Sequence, residues 1–198
     1  MKYLKKLCLI LALSSPIITT GCTTVGIATG AGAVIGISAA REGGIKSTVN
    51  DVRISALISD KWFKYDINTY AKLNVTVEQG RALVTGIVQN PDDRVNAIRL
   101  AWQVEGVDQV INEIRIAESE GLKGYIKDTL ITSQLRTKIT LNRNIQSVNF
   151  SIDTVNTVIY LMGVAQNQTE LNNVIETART IKNVSQVISY VKIAGPDR

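Results

Sequence analysis

Residues 84–116 align without a gap to residues 161–193, at a constant offset of 77 and with 11 of 33 positions identical. The identities include Gly86/Gly163, Asn90/Asn167, Ile98/Ile175, Ala101/Ala178, Val107/Val184 and the Gln-Val-Ile triplets at 109–111 and 186–188. Upstream, Asp51, Ile54, Ile58 and Trp62 match Asp128, Ile131, Leu135 and Ile139 at the same offset. Self-similarity of this kind constrains the chain to two copies of one small unit. Each copy is about 66 residues, near the lower limit for a self-sufficient core.

Both copies predict the same elements. Ile54, Leu57, Ile58 and Trp62 recur at helical spacing, as do Ile131, Leu135 and Ile139, with Asp51 and Asp128 expected as N-caps. Alternating strands follow, Leu73/Val75/Val77 and Val148/Phe150/Ile152. After a turn at Gln79-Gly80 a second strand is expected over residues 83–88, with 158–165 as its counterpart. Gly86 and Gly163 inside that strand signal a bulge or a close backbone approach. Asn90 and Asn167 then cap a second helix, with Asp93 and Glu170 three residues on approximating a capping box and Pro91 at the first helical position. Ala97, Ile98, Ala101 and Val104 line its inner face, matched by Val174, Ile175, Ala178 and Ile181. Gly106 and Asn183 tolerate the left-handed conformation that ends helices. The last strand is expected over 107–116 and 184–193. The order is α-β-β-α-β, giving an α+β fold: a three-stranded mixed sheet covered on one face by two helices.

That order carries two motifs, Val84-Thr85-Gly86-Ile87-Val88 and Gly106-Val107-Asp108-Gln109-Val110-Ile111-Asn112. Both are similar to those of the BON domain, and the resemblance covers residues 51–193. The second copy departs at Asn183 and Ser189, so its last turn is expected to differ. With the N-terminal features below, the chain resembles the dual-BON outer-membrane lipoproteins of Gram-negative bacteria, the DolP type. The segments 112–115 and 127–132 look particularly alike. The resemblance implies binding modules for phospholipid membrane or envelope proteins, without catalysis.

At the N-terminus, Lys2, Lys5 and Lys6 precede an apolar run over 7–13, then Pro16 and a small-residue stretch ending Thr20-Gly21-Cys22. This is the layout of a secretory signal, too short in its apolar core to span a bilayer. Its end resembles a bacterial lipobox, with Thr19 where leucine is usual. The resemblance implies diacylation of Cys22, removal of residues 1–21 as the signal peptide, and, since residue 23 is Thr rather than Asp, the periplasmic face of the outer membrane. Of the two cysteines, Cys8 lies in the signal, and lipidation accounts for the remaining thiol. Residues 22–50 then form the lipidated N-terminus and tether. Its stretch 25–40 is apolar and glycine-rich, with Gly26/Gly30 and Gly32/Gly36 at G-x-x-x-G spacing. It reads as a tether near the lipid surface or, less simply, as a segment that packs in the membrane. Residues 41–50 read as a polar linker.

Composition narrows the function. The chain has no histidine, which removes most hydrolytic triads and zinc or copper sites. No mature thiol is left as a nucleophile, and no glycine-rich phosphate loop follows a strand. No catalytic residue, metal, cofactor or small-molecule substrate is therefore expected. Losing the three signal lysines takes the formal charge from +5 to +2, too little for general attraction to nucleic acid.

Charge is distributed unequally between the copies. Residues 51–116 carry eight basic and nine acidic side chains, whereas 128–193 carry six and four. Between 123 and 143, Lys123, Lys127, Arg136, Lys138 and Arg143 face only Asp128. Leu130 lies about 100° from the inner line of that helix, where copy one has Arg53, and Ile126 falls on the same face with Lys127 beside both. Three readings stay open for this face: lipid contact, packing against copy one, or ordinary exposed aliphatics.

The expected layout is domain 1 over 51–116, a linker over 117–124, domain 2 over 125–193 and a tail over 194–198. The leading functional expectation is a non-catalytic outer-membrane lipoprotein, anchored through Cys22. It would bind anionic phospholipid through Ile126, Lys127, Leu130 and Lys138 and help to maintain outer-membrane integrity. The alternative is a periplasmic adaptor for an envelope protein. A third reading, an enzyme using carboxylates such as Asp92, Asp93 or Glu105, places chemistry on acids for which a helix cap or a solvated surface suffices.

Overall fold

The computed structural model describes residues 44–118 and 121–195, so Cys22, the signal, the stretch 25–40 and residues 196–198 lie outside the described residues. Domain 1 contains α1 (Gly44–Tyr65), the short α2 (Ile67–Lys72), β1 (Leu73–Glu78), β2 (Arg81–Val88), α3 (Pro91–Trp102) and β3 (Gln109–Ile116). Domain 2 contains α4 (Gly121–Leu141), a 3-10 turn (Ser147–Asn149), β4 (Phe150–Val155), β5 (Val158–Ala165), α5 (Gln168–Arg179), β6 (Gln186–Ser189) and β7 (Lys192–Ile193). Each domain is a mixed sheet: a hairpin pairs the first two strands antiparallel, and the last strand returns parallel to the middle one after a helical crossover. This is the α+β architecture the repeat implies.

Ile54, Ile58 and Trp62 of α1 pack with Ala97 and Ala101 of α3 on Ala82, Val84 and Val88 of β2. In domain 2, Ile131, Leu135 and Ile139 pack with Val174 and Ala178 on Ile159, Leu161 and Ala165. Each buried branched side chain contributes about 1.5–3 kcal/mol. Leu57, expected in this line, is instead turned outward. Trp62 also donates its indole N–H to the Ala97 carbonyl at 2.9 Å, tying α1 to α3 where domain 2 has Ile139. At Gly86 and Gly163 the middle strand approaches the preceding backbone closely: an added Cβ would sit 2.3 Å from the Lys72 carbonyl oxygen and 1.9 Å from that of Asn149.

Asp51 and Asp128 do not cap helices. Helix α1 starts at Gly44 and α4 at Gly121, so both acids lie inside their helices, and residues 44–50 are helix rather than linker. The Asp51 carboxylate accepts the Gln79 and Gly80 amide protons at 2.8 and 2.9 Å. Asp128 does the same for Asn156 and Thr157, at 2.7 and 2.8 Å. Both central residues of each hairpin turn have positive φ (52° and 73°; 48° and 65°), the geometry of a tight two-residue connection, and the aspartate clamps its two amides.

Asn90 and Asn167 do cap their helices, accepting from Asp92 N and Glu170 N. The capping box is not reciprocal. The Glu170 carboxylate instead accepts from Gln166 N and Gln146 N, pinning the loop after α4 to the start of α5. Gly106 and Asn183 have φ of 94° and 69° but follow the helix ends by several residues, turning the chain into the last strand. Val148 falls in the 3-10 turn, not in a strand. The final strand of domain 2 breaks between β6 and β7, where Tyr190 swings toward domain 1.

The domains join through the sheet faces that carry no helices. Leu83 and Ile111 of domain 1 meet Val158, Tyr160 and Met162 of domain 2 in a third buried cluster, with Ile188 and Tyr190 packed against it. Polar groups border it: the Thr85 hydroxyl donates to Asp153, the Tyr190 hydroxyl to Glu113, and the Arg81 guanidinium to the Tyr190 carbonyl at 2.9 Å. Burial, reinforced by the Glu113 carboxylate, pushes the Tyr160 phenol up to about 12. Tyr190 is likewise pushed up to about 12, by burial and by its hydrogen bond to Glu113. The result is a four-layer stack, helices–sheet–sheet–helices, with α1 and α4 in opposite outer layers.

Candidate membrane-facing surface

Helix α4 owes its orientation to its inner line, since Ile131, Leu135 and Ile139 are no more than 2% exposed. The same rotation turns Ile126 (50% exposed) and Leu130 (55%) outward, away from both sheets. The interdomain contact runs through the sheets, so packing of this face against domain 1 is set aside. At about 100° per residue, Ile126 and Leu130 lie about 40° apart and Lys127 borders both. Lys123, one turn before Lys127, is exposed on the same side.

Lys138 does not belong to that cluster. It lies about 16 Å along the axis from Lys127, and its ammonium donates to the Thr180 hydroxyl at 3.1 Å, beside the C-terminus of α5. Arg136 turns toward the sheet edge and donates to the Phe150 and Ser147 carbonyls at 2.8 and 3.3 Å. Two further side chains of α4 are exposed, Tyr125 beside Ile126 and Leu141 at the far end of the helix. Comparison with copy one did not single them out, but the adjacency of Tyr125 to Ile126 was a usable signal: a phenol with an apolar body and a polar tip suits a lipid–water boundary.

Aliphatic groups and ammoniums give this surface contact area and charge. The acids considered for catalysis are placed where structure accounts for them. Asp92 and Asp93 occupy the first turn of α3, and Glu105 faces Arg53 at 4.0 Å on the surface. Among the described residues no group of three or more His, Cys, Asp or Glu side chains could hold a metal ion. No described helix is long and apolar enough to cross a membrane.

Comparison with known proteins follows the architecture. The BON domain family model matches residues 50–118 and again residues 127–195. A protein of Anaplasma centrale, described as "Uncharacterized protein in gshII 5′ region", is 42% identical over 146 residues, 73% of this chain and 95% of its own. The outer membrane lipoprotein DolP of Haemophilus influenzae is 27% identical over 190 residues, 96% of each chain. Osmotically-inducible protein Y of Escherichia coli is 23% identical over 146 residues, 73% of each chain. The chain belongs to the BON domain family, as a two-domain protein of the DolP type.

Proposed function

We propose that this protein is a non-catalytic envelope lipoprotein, anchored at Cys22 in the outer membrane, whose second domain lays α4 on anionic phospholipid and so helps to maintain outer-membrane integrity. One observation carries the reading: the one acid of α4, Asp128, is engaged by the β4–β5 turn, which leaves Ile126 and Leu130 as an apolar stripe bordered on the helix by Lys123 and Lys127. Interfacial helices need that combination. Two or three acyl chains at Cys22 would hold the protein at the membrane, and α4 would read the charge of the surface. The similarity to DolP along nearly the whole chain supports the envelope location.

Each lysine near an anionic surface contributes about 1 kcal/mol, and inserting Leu130 adds about 2 kcal/mol. Flotation of the unlipidated Cys22→Ser chain with anionic vesicles tests this. Leu130→Glu with Lys127→Glu is expected to weaken binding at least about 100-fold. Unchanged flotation of the double variant overturns the proposal.

A further inference from the structure

Domain 1 exposes an apolar surface on its helical layer that domain 2 lacks. Val49, Val52, Leu57 and Phe63 of α1, and Val95 and Trp102 of α3, are each at least 37% exposed. At the offset of 77, domain 2 has Ile126, Thr129, Gln134, Thr140, Asn172 and Arg179, so five of these six positions are polar there. On α1 the outward line runs Val49, Val52, Ala56, Ser59, Phe63 at spacings of 3, 4, 3 and 4, the repeat of a helix seam, on the side opposite Ile54, Ile58 and Trp62. The small Ala56 and Ser59 at mid-helix allow a second helix to approach to the short end of the usual 8–10 Å.

Two observations indicate the occupant. Unlike the α4 surface, the border of this seam carries both signs in balance: Arg53 lies 4.0 Å from Glu105, and Lys64 pairs with Asp60 at 2.7 Å. A balanced border offers an anionic bilayer no net attraction. The seam also lies in the outer layer opposite α4, so it points away from any membrane that α4 contacts, and a pair built on it turns its two α4 surfaces in opposite directions, with one copy at a time on that membrane; this argument rests on the proposed function. Along the border, Arg53 and Asp60 are one heptad apart. A two-fold axis that places Val52 on the second copy's Phe63 and Ala56 on its Ser59 brings Arg53 toward the second copy's Asp60, twice, where it would join the surface pair that Asp60 makes with Lys64 and give a self-complementary contact.

We propose that this face of α1 is a self-association surface, on which a second copy of the chain docks its own α1 antiparallel. Cysteine pairing in the full-length, lipidated protein tests it, because the chain has only Cys8 and Cys22, and under the proposed function the first is removed with the signal and the second is acylated. Val52→Cys and Phe63→Cys chains produced together are expected to form a disulfide-linked dimer under mild oxidation, and neither chain alone, since identical positions are about 16 Å apart along an antiparallel pair. In sedimentation equilibrium in detergent, Ala56→Glu is expected to weaken dimerisation at least about tenfold by burying an unpaired charge, with an unchanged thermal melt because Ala56 is exposed. No mixed crosslink overturns the proposal, as does a parallel pattern in which Val52→Cys alone pairs. Loss of anionic-vesicle binding by Ala56→Glu equal to that of Leu130→Glu also overturns it, because the face would then be lipid-bound. The crosslink does not depend on vesicle binding, so failure of the α4 reading is recorded separately.

Discussion

The two domains share one fold and one inner design but differ in what they show to the outside. Each clamps its hairpin turn with an aspartate, packs two helices on one sheet face and gives the other face to its neighbour. Their outer helices diverge: α1 presents an apolar seam bordered by both charges, and α4 a shorter apolar stripe bordered by lysines. Duplication therefore kept the positions that make the core and released those that face outward. A binding module can change its ligand in this way without risking its fold.

The comparison is broken most severely at the close-approach glycines. Gly163→Ala forces a Cβ to 1.9 Å from the Asn149 carbonyl oxygen at φ 138°, and is expected to cost more than about 4 kcal/mol and unfold domain 2. Gly86→Ala, with 2.3 Å to the Lys72 carbonyl oxygen, is expected to cost somewhat less in domain 1. Both tryptophans, Trp62 and Trp102, lie in domain 1, so their fluorescence follows that domain while circular dichroism follows the whole chain. Separate transitions are expected if the cores around Ile54 and Ile131 unfold one by one; coincident melts of Gly163→Ala by the two probes would show that the shared sheet–sheet cluster binds them into one unit.

A smaller effect separates the turns. Asp51→Ala and Asp128→Ala each leave two amides without their charged acceptor and are expected to cost about 2–3 kcal/mol in chemical denaturation. The loss at Asp51 is expected to be larger, because Asp51 is buried whereas Asp128 is half-buried, and release of the strained Thr157 turn offsets part of the loss at Asp128. Because the β-branched Thr157 holds φ 65° where domain 1 has Gly80, Thr157→Gly is expected to stabilise domain 2 by up to about 1 kcal/mol; a destabilisation would show that its hydroxyl contact with Ser185 dominates.

The subtlest effect is on pH. Tyr160 and Tyr190, ordinarily near 10, are both pushed up to about 12 in the fold. The folded chain therefore holds these protons more tightly than the unfolded one. The associated stability is complete below pH 10 and is lost as pH rises toward about 12. Denaturation between pH 9 and 12 is expected to show a decline that Tyr160→Phe with Tyr190→Phe reduces.

Much of this was legible in one sequence because the signals were local. The caps at Asn90 and Asn167, the 77-residue offset and the alternating strands each rest on neighbouring residues. Where partners were distant, the sequence misled. Asp51 reads as a cap because it precedes an apolar periodic run, yet its partners are 28 and 29 residues on, at Gln79 and Gly80. The domain interface was written in β5, whose unbroken apolar run from Val158 to Ala165 marks a strand buried on both faces. The exposure of Ile126 and Leu130 followed from comparing the copies, whereas the apolar seam on α1 needed the helix to begin at Gly44, so that Val49 joined Val52 and Phe63 on one line.

On a bilayer, α4 is expected to face the membrane while α1 faces away. Nitroxide labels at Leu130→Cys and Val52→Cys in an unlipidated chain of residues 23–198, bound to anionic vesicles, test it through their accessibility to a water-soluble relaxation agent. The account predicts that the label at 130 becomes shielded on binding and reports apolar surroundings, while the label at 52 stays as accessible as before. Equal shielding at both positions, or shielding at 52 alone, would contradict it.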